Sequence, residues 1–240
     1  MIKFQTLTIL IPVYNEDRTI TQVLDQLREV ELAGNIQKEI ILIDDCSTDS
    51  SVSLITTYAV RHPALGLRLL QHSTNQGKGA ALHTGIQAAT GDYIIIQDAD
   101  LEYDPADYNA LLQPVVRGFA DVVYGSRFVG GKPHRVLFFW HSIGNAVLTF
   151  LSNMFTDLNL TDMETGYKLF RRDILQGLML REKSFGFEPE VTAKMARVPG
   201  IRIYEVGISY YGRTYAEGKK INWRDGLWAL WCILRYGLGR

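Results

Sequence analysis

An acidic segment that follows an apolar run offers the clearest candidate chemistry in this sequence. Residues 94–96 are all isoleucine, and carboxylates follow them at Asp98, Asp100 and Glu102. In an extended chain alternate side chains share a face, so the three carboxylates would converge on one point. Carboxylate oxygens are ligands that Mg²⁺ and Mn²⁺ prefer. The spacing therefore predicts a divalent-cation site at these residues, with an acidic loop after a core strand as the alternative.

The elements that would position these carboxylates alternate along the first half of the chain. Short apolar runs predict strands at residues 7–13, 39–43, 67–71, 92–97 and 121–124. Amphipathic segments between them predict helices at residues 16–30, 48–60, 78–89 and 105–117. Such alternation is typical of an α/β fold with a mostly parallel central sheet and flanking helices.

The second half of the chain is less regular. Its apolar pattern predicts a long helix at residues 136–155 and a shorter helix at 187–197. A strand is predicted at residues 201–206, and an amphipathic C-terminal helix rich in tryptophan at 222–236. We therefore expect the regular first half, in which strands and helices alternate, to be followed by a less regular second half.

Composition narrows the class of protein. The chain has 240 residues, 47% of them hydrophobic, which suits one globular core, and its formal net charge of −1 does not suggest a nucleic-acid partner. Cys46 and Cys232 are far apart and lack metal-ligand spacing, which favours a reducing compartment. No apolar run reaches the roughly 18–20 residues that span a bilayer. We therefore expect a single cytoplasmic domain over residues 1–240.

Polar side chains follow several predicted strands at the point where each strand ends. Pro12, Tyr14 and Glu16 follow the first strand, Asp44 and Asp45 follow the second, and the acidic segment follows the fourth. Ligands of parallel sheets bind beyond the carboxyl ends of the strands. We therefore expect a binding site at this edge, where a carboxylate could accept hydrogen bonds from a nucleobase or ribose. The Ser and Thr residues nearby would also serve as helix N-caps.

A glycine-rich turn, Asn75-Gln76-Gly77-Lys78-Gly79, joins a predicted strand to a helix. Glycines allow close approach of a ligand to the backbone, and a helix start offers N–H groups to an anion. Lys78 is therefore a candidate substrate-binding residue. The spacing is not that of a Walker A loop, and an ordinary glycine-rich turn is the alternative.

Basic residues supply candidate phosphate contacts at two further positions. Arg127 follows the fifth predicted strand, and Arg213, Lys219 and Lys220 lie in a segment rich in glycine and tyrosine. Arginine binds phosphate with bidentate geometry, and lysine neutralises its charge. A solvated surface loop is the alternative for the second group.

Together these motifs resemble those of the inverting glycosyltransferases of family 2, and most of all the dolichyl- or polyprenyl-phosphate mannose synthases and their glucosyl relatives. The resemblance extends from residue 7 to about residue 223 and rests on six segments: Pro12-Val13-Tyr14-Asn15-Glu16, Asp44-Asp45-x-Ser47-x-Asp49, Asn75-x-Gly77-Lys78-Gly79, Asp98-Ala99-Asp100-Leu101-Glu102, Gly125-Ser126-Arg127 and Asp162-x-x-x-Gly166-Tyr167. It implies a Rossmann-like glycosyltransferase-A fold, a nucleotide-diphosphate sugar donor (GDP-mannose or UDP-glucose) and Mg²⁺ or Mn²⁺.

The resemblance also assigns donor-binding roles to individual residues. Contacts with the nucleoside are implied for Pro12, Tyr14, Glu16, Ile43 and Asp45. The metal–diphosphate motif matches Asp98, Ala99 and Asp100, and the metal is also approached from Glu102. A basic pair that closes over the donor phosphates matches Arg213 and Lys219.

The implied acceptor is a polyprenyl monophosphate. Arg127 matches an arginine that contacts the acceptor phosphate, and Arg135 is the candidate for a second such arginine. A lipid monophosphate is already anionic at pH 7, so no strong general base is required. If the acceptor is a sugar hydroxyl, a carboxylate base is needed, and Asp162 or Glu164 is the candidate. A non-catalytic sugar-nucleotide-binding module is the alternative that is not an enzyme.

The same resemblance divides the chain into two functional halves. Residues 1–128 would bind the nucleotide sugar, and residues 129–240 would bind the acceptor and carry the C-terminal helix. The two apolar helices of the second half suit a membrane surface, while core packing or a dimer contact is the alternative. We therefore expect a peripheral protein on the inner face of the membrane, with a homodimer or a membrane-protein partner as further options.

Overall fold

The computed structural model describes residues 5–136, 138–213 and 223–239. Its strands are β1 Thr6–Val13, β2 Gln37–Asp44, β3 Arg68–Gln71, β4 Tyr93–Ile96, β5 Val122–Ser126, β6 Lys168–Arg171 and β7 Ile203–Gly207. Its helices are α1 Ile20–Glu29, α2 Ser51–Arg61, α3 Lys78–Ala88, α4 Tyr108–Val116, α5 Phe139–Thr156, α6 Arg172–Gly177, α7 Phe187–Met195 and α8 Trp223–Leu238. All predicted elements are therefore present, with ends shifted by a few residues.

The strands form one sheet in the order β3-β2-β1-β4-β6-β5-β7. Strand β6 runs antiparallel to both of its neighbours, β4 and β5, whereas the other pairs are parallel. The predicted mostly parallel sheet is therefore confirmed. Because β6 is reversed, its first residue lies at the same edge as the last residues of the other strands. The loop that precedes β6 is brought to that edge as a result.

Strand β6 and helix α6 were missed by the sequence analysis. The strand has four residues, and the first of them, Lys168, is charged yet only 1% exposed. A buried lysine interrupts the apolar pattern by which a core strand is recognised. The connection from β6 to α6 contains no turn signal, because the helix begins at the next residue.

Apolar side chains fill both faces of the sheet. One layer packs β1, β2 and β4 against α1, α2 and α4, and the other packs them against α3, α6 and α7. Alternation along β1 explains this, because Ile9 and Ile11 point into the first layer while Leu10 points into the second. Strands from both predicted halves share this sheet, so we propose that residues 1–240 form a single domain.

Helix α5 differs from an ordinary core helix. Only Thr149 and Ser152 are buried along it, whereas large apolar side chains stand in solvent at Phe139, Trp140, Ile143, Val147, Phe150 and Met154. The helix starts at residue 139 instead of the predicted 136, and Val136 is 90% exposed outside it. The core-packing alternative for the outward face of this helix is therefore wrong.

The C-terminal helix α8 packs against α5 and α7. Its inward residues Ala229, Cys232, Ile233 and Tyr236 are buried, and Leu227, Trp228, Trp231, Leu234 and Leu238 are exposed. Glu182 anchors the helix by accepting hydrogen bonds from Trp228 Nε1 at 3.1 Å and from the Tyr236 hydroxyl at 2.6 Å. Within the described residues, no helix has both the length and the hydropathy needed to cross a bilayer.

A buried polar contact fixes the end of β4, where the acidic segment begins. The hydroxyls of Tyr108 and Tyr167 both donate to Gln97 Oε1, at 2.7 and 2.5 Å, and all three residues are fully buried. Leucine at position 97 would leave both hydroxyls without this acceptor. We expect Gln97→Leu to lower the free energy of unfolding by about 2–4 kcal/mol, measured by urea denaturation.

A matched substitution on the surface provides the control. Gln113 lies on α4 and is exposed. Gln113→Leu should change the stability by less than about 0.5 kcal/mol. Equal losses in the two variants would contradict a special role for the buried glutamine.

Candidate functional site

The loop after β1 is fixed by the turn after β2. Asn15 has a left-handed backbone with φ of +53°, its N–H donates to Ser47 Oγ at 3.0 Å, and its Oδ1 accepts from Thr48 N at 2.8 Å. The N–H of Glu16 donates to Ser51 Oγ at 2.9 Å. These contacts hold Tyr14 with 41% of its surface exposed beside the strand ends. The N-cap alternative for Ser47 and Thr48 is wrong, because α2 begins at Ser51 and both residues contact Asn15 in the neighbouring loop.

Asp45 anchors the glycine-rich turn. Its carboxylate accepts from His72 Nδ1 at 2.7 Å, from Gln76 N at 2.9 Å and from Gly77 N at 2.7 Å. The other nitrogen of His72 lies 2.8 Å from Thr84 Oγ1. Asp45 is only 3% exposed, so a nucleoside would share a carboxylate that already has three donors. Its predicted nucleoside contact remains a prediction, and its observed contacts position the turn.

The glycines of this turn are required by packing. A Cβ at Gly77 would lie 2.4 Å from the carbonyl oxygen of Lys183, and one at Gly79 would lie 2.3 Å from that of Glu182. Ala80 N, in the first turn of α3, donates to the Lys183 carbonyl at 3.1 Å. The backbone of residues 182–184 therefore occupies the side of the helix start that the sequence analysis offered to an anion.

The acidic segment is a turn and not an extension of β4. The strand ends at Ile96, residues 99–103 form turns and bends, and Leu101 has a left-handed backbone with a φ of +63°. The N–H of Glu102 donates to Asp100 Oδ1 at 3.2 Å. The premise of an extended chain was therefore wrong, because a left-handed residue ends the alternation of side chains.

Two basic side chains balance the acidic turn. Lys78 Nζ lies 2.9 Å from Asp98 and 3.5 Å from Glu188. Arg213 Nη2 lies 2.6 Å from Asp100, and Arg213 Nε lies 3.3 Å from Glu102. Burial alone would lower the pKa of Lys78, but the two carboxylates raise it well above its usual value. Lys78 and Arg213 are therefore the counter-ions of the segment.

Arg213 also links the segment to the loop after β1. Its Nη1 lies 4.0 Å from Glu16 Oε2, and its own backbone N–H donates to Glu102 Oε1 at 2.9 Å. The other oxygen of Glu102 accepts from the Tyr210 hydroxyl at 2.7 Å. The structure thus brings together four residues predicted for donor binding: Glu16, Asp100, Glu102 and Arg213.

The charge on Asp100 is disfavoured in this arrangement. Burial, followed by repulsion from Asp98 and Glu102, raises the pKa of Asp100 to about 7, although Arg213 opposes this. A cation among these carboxylate oxygens would relieve the repulsion. The oxygen ligands present therefore fit a divalent ion. Across the described parts of the chain, no three His, Cys, Asp or Glu side chains form a ready metal cage. Metal binding by Asp98, Asp100 and Glu102 therefore remains a prediction.

A second cluster surrounds Arg127. Its Nε and Nη2 donate to the two oxygens of Asp162, both at 2.7 Å, and its backbone N–H donates to the same carboxylate at 3.1 Å. Its Nη2 also donates to Asn145 Oδ1 at 3.1 Å. The guanidinium carbon lies 5.1 Å from the centre of the Tyr210 ring. The Asp162 carboxylate is fully buried, so both of its oxygens are committed to this arginine.

Buried titratable groups connect the two clusters. Burial, followed by repulsion from Glu188, raises the pKa of Glu164 to about 8. Burial lowers the pKa of Lys168 to about 8, against the attraction of Glu188 and Glu164. Lys168 and Glu188 were missed by the sequence analysis, because a strand start and a helix start carry no signal for a buried charge. Asn145 and Tyr210 were missed because they lie within an apolar helix and an aromatic segment.

The remaining predicted residues lie in different environments. The side chain of Ile43 is fully buried and Ala99 is 4% exposed, so a nucleoside would meet the backbone at both positions. Pro12 is partly exposed at the end of β1. Arg135 Nη1 donates to the Gly212 carbonyl at 2.8 Å, next to Arg213. Lys219 lies outside the described residues.

Comparison with known proteins relates the chain to a family. The model of glycosyl transferase family 2 matches residues 8–179. Undecaprenyl-phosphate mannosyltransferase of Micrococcus luteus is 31% identical over 252 aligned positions, which cover 96% of this chain and 98% of that protein. Dodecaprenyl-phosphate galacturonate synthase of Rhizobium johnstonii is 27% identical over 213 positions, covering 89% of this chain. The chain spans only 61% of the length of that second relative.

A solved structure supports the fold. Glucosyl-3-phosphoglycerate synthase of Mycobacterium tuberculosis, in complex with Mn²⁺, UDP and phosphoglyceric acid, superposes with a TM-score of 0.71 at 20% identity. The match covers 97% of this chain and 78% of that one. The predicted glycosyltransferase-A fold is confirmed.

Two glycine-to-alanine substitutions should change the stability in opposite directions. We expect Gly79→Ala to lower the free energy of unfolding by about 1–3 kcal/mol, because the new methyl group would overlap a backbone carbonyl. Gly144 lies in α5, and a Cβ there would meet nothing within 4 Å. Gly144→Ala should therefore raise the stability by about 0.5–1 kcal/mol. Urea denaturation of both variants checks this, and losses of equal size would refute the packing argument.

Proposed function

The chain belongs to glycosyl transferase family 2, and from that membership we propose that it transfers a hexose from a nucleotide-diphosphate sugar to a polyprenyl or dolichyl monophosphate. The similar proteins of Micrococcus luteus and Rhizobium johnstonii are both named for a polyprenyl-phosphate product or acceptor. They differ in the sugar, which is mannose in the first and galacturonate in the second. We place GDP-mannose first as donor, since the relative that is 31% identical, and 98% of whose length is aligned, is a mannosyltransferase, and UDP-glucose second.

One observation carries the choice of acceptor: both candidate general bases are unsuited to accept a proton. Asp162 uses both carboxylate oxygens to hold Arg127. Glu164 has a pKa raised to about 8 by burial and by Glu188, so it is mostly protonated at pH 7. A sugar hydroxyl needs a base, whereas a phosphate monoester is an anionic nucleophile without one. This favours the lipid phosphate over the hydroxyl alternative.

The donor would lie along the edge defined by the loops after β1, β2 and β4. We assign its nucleoside to Pro12, Tyr14, Glu16, Ile43, Asp45 and Ala99. Tyr14 supports this assignment because it is aromatic and 41% exposed at this edge of the sheet. Arg213, and with it Lys219, would bind the diphosphate. Lys78 would hold Asp98 in place.

A divalent ion, Mg²⁺ or Mn²⁺, would be held by Asp98, Asp100 and Glu102 together with the donor. Such an ion supplies neutralisation of the negative charge that develops on a departing diphosphate. Arg213 would contribute positive charge on the other side, since it is already held at Asp100 and Glu102. The raised pKa of Asp100 supports a cation in this position, because the repulsion that raises it is what a cation would remove.

The acceptor phosphate would attack the anomeric carbon from the side opposite the leaving group and invert it. Arg127 is the residue we assign to that phosphate, with Arg135 as a second contact. The guanidinium of Arg127 is fixed at three points by Asp162 and Asn145. A fixed guanidinium lowers the entropic cost of orienting the nucleophile.

We further propose that the outward apolar face of α5 lies on the inner surface of the membrane. The exposed residues Trp140, Ile143, Val147, Phe150 and Met154 recur every three or four positions, so they form one face of the helix. Helix α8, which packs against α5, also exposes Trp228 and Trp231, and aromatic residues suit the interface between lipid and water. A membrane-soluble acceptor also requires the site to approach the lipid surface.

The function is tested by release of free nucleotide from a donor panel of GDP-mannose, UDP-glucose and a nucleotide-linked uronic acid. We expect release with GDP-mannose that depends on polyprenyl phosphate. Asp100→Asn should lower this rate by at least about 100-fold. The fold should survive, because Arg213 keeps Glu102 as a partner when Asp100 becomes asparagine.

Asp104→Asn is the matched control. Asp104 lies four residues further on and caps the turn at Ala106, and asparagine caps equally well. Normal turnover in Asp100→Asn would refute the assignment. Transfer to a hydroxyl group of a sugar acceptor, but not to the lipid phosphate, would favour the hydroxyl alternative. Metal-dependent nucleotide binding without any turnover would favour a binding module.

Membrane contact is tested by flotation with vesicles of phosphatidylethanolamine and phosphatidylglycerol. The double variant Trp140→Glu, Phe150→Glu should float several-fold less than the unmodified chain, because it places two charges in the proposed contact. The side chains are 78% and 66% exposed, so folding should be unaffected. Val60→Glu on α2, at a position 77% exposed, is the control and should float normally. Equal flotation of all three proteins would exclude α5 from the membrane contact. If the unmodified chain is a dimer and the double variant is not, the face of α5 binds a second copy of the chain instead.

A further inference from the structure

Asn145 is a polar residue on the apolar helix α5, and it contacts the site. Its neighbours Ile143, Gly144, Ala146 and Val147 are exposed, whereas Asn145 itself is partly buried. Its Oδ1 accepts a hydrogen bond from Arg127 Nη2 at 3.1 Å. The helix that carries the exposed apolar face therefore also reaches the arginine assigned to the acceptor phosphate.

The amide nitrogen of Asn145 is a buried donor without an acceptor. Within the described residues, Nδ2 has no hydrogen-bond partner, although it is almost fully screened from water. Exchanging the amide oxygen and nitrogen would set an N–H group against the guanidinium, where both groups are donors, so the contact with Arg127 fixes the orientation. Buried polar groups in folded proteins are nearly always paired, so such a donor points to a missing acceptor.

Arg127 offers a second donor beside it. Its Nε and Nη2 are used by Asp162 and Asn145. In the described parts of the chain, Nη1 donates to no oxygen. Because Nδ2 and Oδ1 of Asn145 are bonded to the same carbon, Nδ2 lies within a few ångströms of the guanidinium. Two donors in neighbouring positions match the oxygens of one tetrahedral phosphate.

We propose that Asn145 is an acceptor-binding residue whose Nδ2 donates to an oxygen of the acceptor phosphate, next to Nη1 of Arg127. The ligand class is a phosphate monoester, and the proposal rests on the proposed function in taking that monoester to be a polyprenyl phosphate. Because Nδ2 is covered, the phosphate reaches it only when the groups that cover it move aside.

Charge makes this neutral donor important. The Asp162 carboxylate compensates the charge of Arg127, so the phosphate meets an ion pair instead of a free cation. Attraction between the phosphate and that pair is weaker than attraction to an isolated arginine. Uncharged N–H donors then carry a larger share of the binding and of the orientation of the nucleophile.

The test compares three variants of the full chain by the KM for a short-chain polyprenyl phosphate. Asn145→Ala removes the N–H donor and should raise this KM about five- to twentyfold. The KM for the nucleotide sugar should be unchanged. Asn145→Asp keeps an oxygen for Arg127 but replaces the N–H donor with a negative charge, so it should raise the KM more than alanine does. Asn153→Ala is the control on the same helix, because both ends of that amide are bonded to the backbone of Leu160. It should leave the KM for the acceptor unchanged.

The order of the two Asn145 variants decides the proposal. If Asn145 only holds Arg127, aspartate still offers Arg127 an oxygen, so Asn145→Asp would raise the KM less than Asn145→Ala despite its added charge. That order would overturn the proposal.

A binding measurement separates this proposal from the proposed function. The side-chain amide signals of Asn145, identified by their loss in Asn145→Ala, are followed by NMR during titration with isoprenyl monophosphate, inorganic phosphate or the parent alcohol. We expect shifts with the monophosphate and none with the alcohol. Shifts without any lipid-dependent turnover would retain the phosphate site and reject the proposed reaction. Shifts with inorganic phosphate at equal affinity would identify a free-phosphate site, and unchanged signals in every titration would reject Asn145 as a ligand.

Discussion

The pairing of buried and partly buried carboxylates with basic side chains at one edge of the sheet is the constraint on which the rest of the site depends. Asp98 is held by Lys78, Asp100 and Glu102 by Arg213, and Asp162 by Arg127. Removal of one partner from such a pair leaves a buried charge without compensation, which costs several kcal/mol. Each pair joins two segments that are distant in sequence, so charge balance also fixes how the loops meet.

The reversed strand β6 explains why the two clusters share one edge. Because β6 runs against β4 and β5, the loop that enters it lies where the other strands end. That loop carries Asp162, which holds the arginine that follows β5. On the proposed reaction, donor and acceptor must meet within bonding distance. An antiparallel strand inserted between β4 and β5 is the feature of the sheet that allows this.

The sequence predicted the parallel sheet and the edge at which polar residues gather, because apolar periodicity and strand-to-helix alternation depend on local residues. It also identified Glu16, Asp100, Glu102 and Arg213, which the fold brings together. It did not predict the turn at Leu101, since nothing in the side chain of leucine signals a positive φ. Nor did it predict β6, where a buried lysine replaces the apolar residue that marks a core strand.

Roles that depend on partners were the hardest to read from sequence. Asp162 was a candidate base by residue type, but its contacts with Arg127 make it a positioning residue. Asp45 was a candidate nucleoside ligand, but it also supports the turn at Gly77. In both cases the side chain has the chemistry that the sequence indicated. Its neighbours, which come from distant segments, decide which of its oxygens remain available.

In the proposed reaction the acceptor loses negative charge, and the ion pair of Arg127 with Asp162 suits such a change. A phosphate monoester carries about −1.5 to −2 charges at pH 7. Its phosphodiester product has one ionisable oxygen fewer and carries a single negative charge. A site that relied on strong positive charge would bind both tightly and retain the product. Since Asp162 offsets the charge of Arg127, binding of the acceptor at the proposed site would depend on hydrogen bonds to its phosphate oxygens. When one oxygen becomes bonded to the sugar, it loses its charge and much of its strength as an acceptor, so the product is held less firmly than the acceptor.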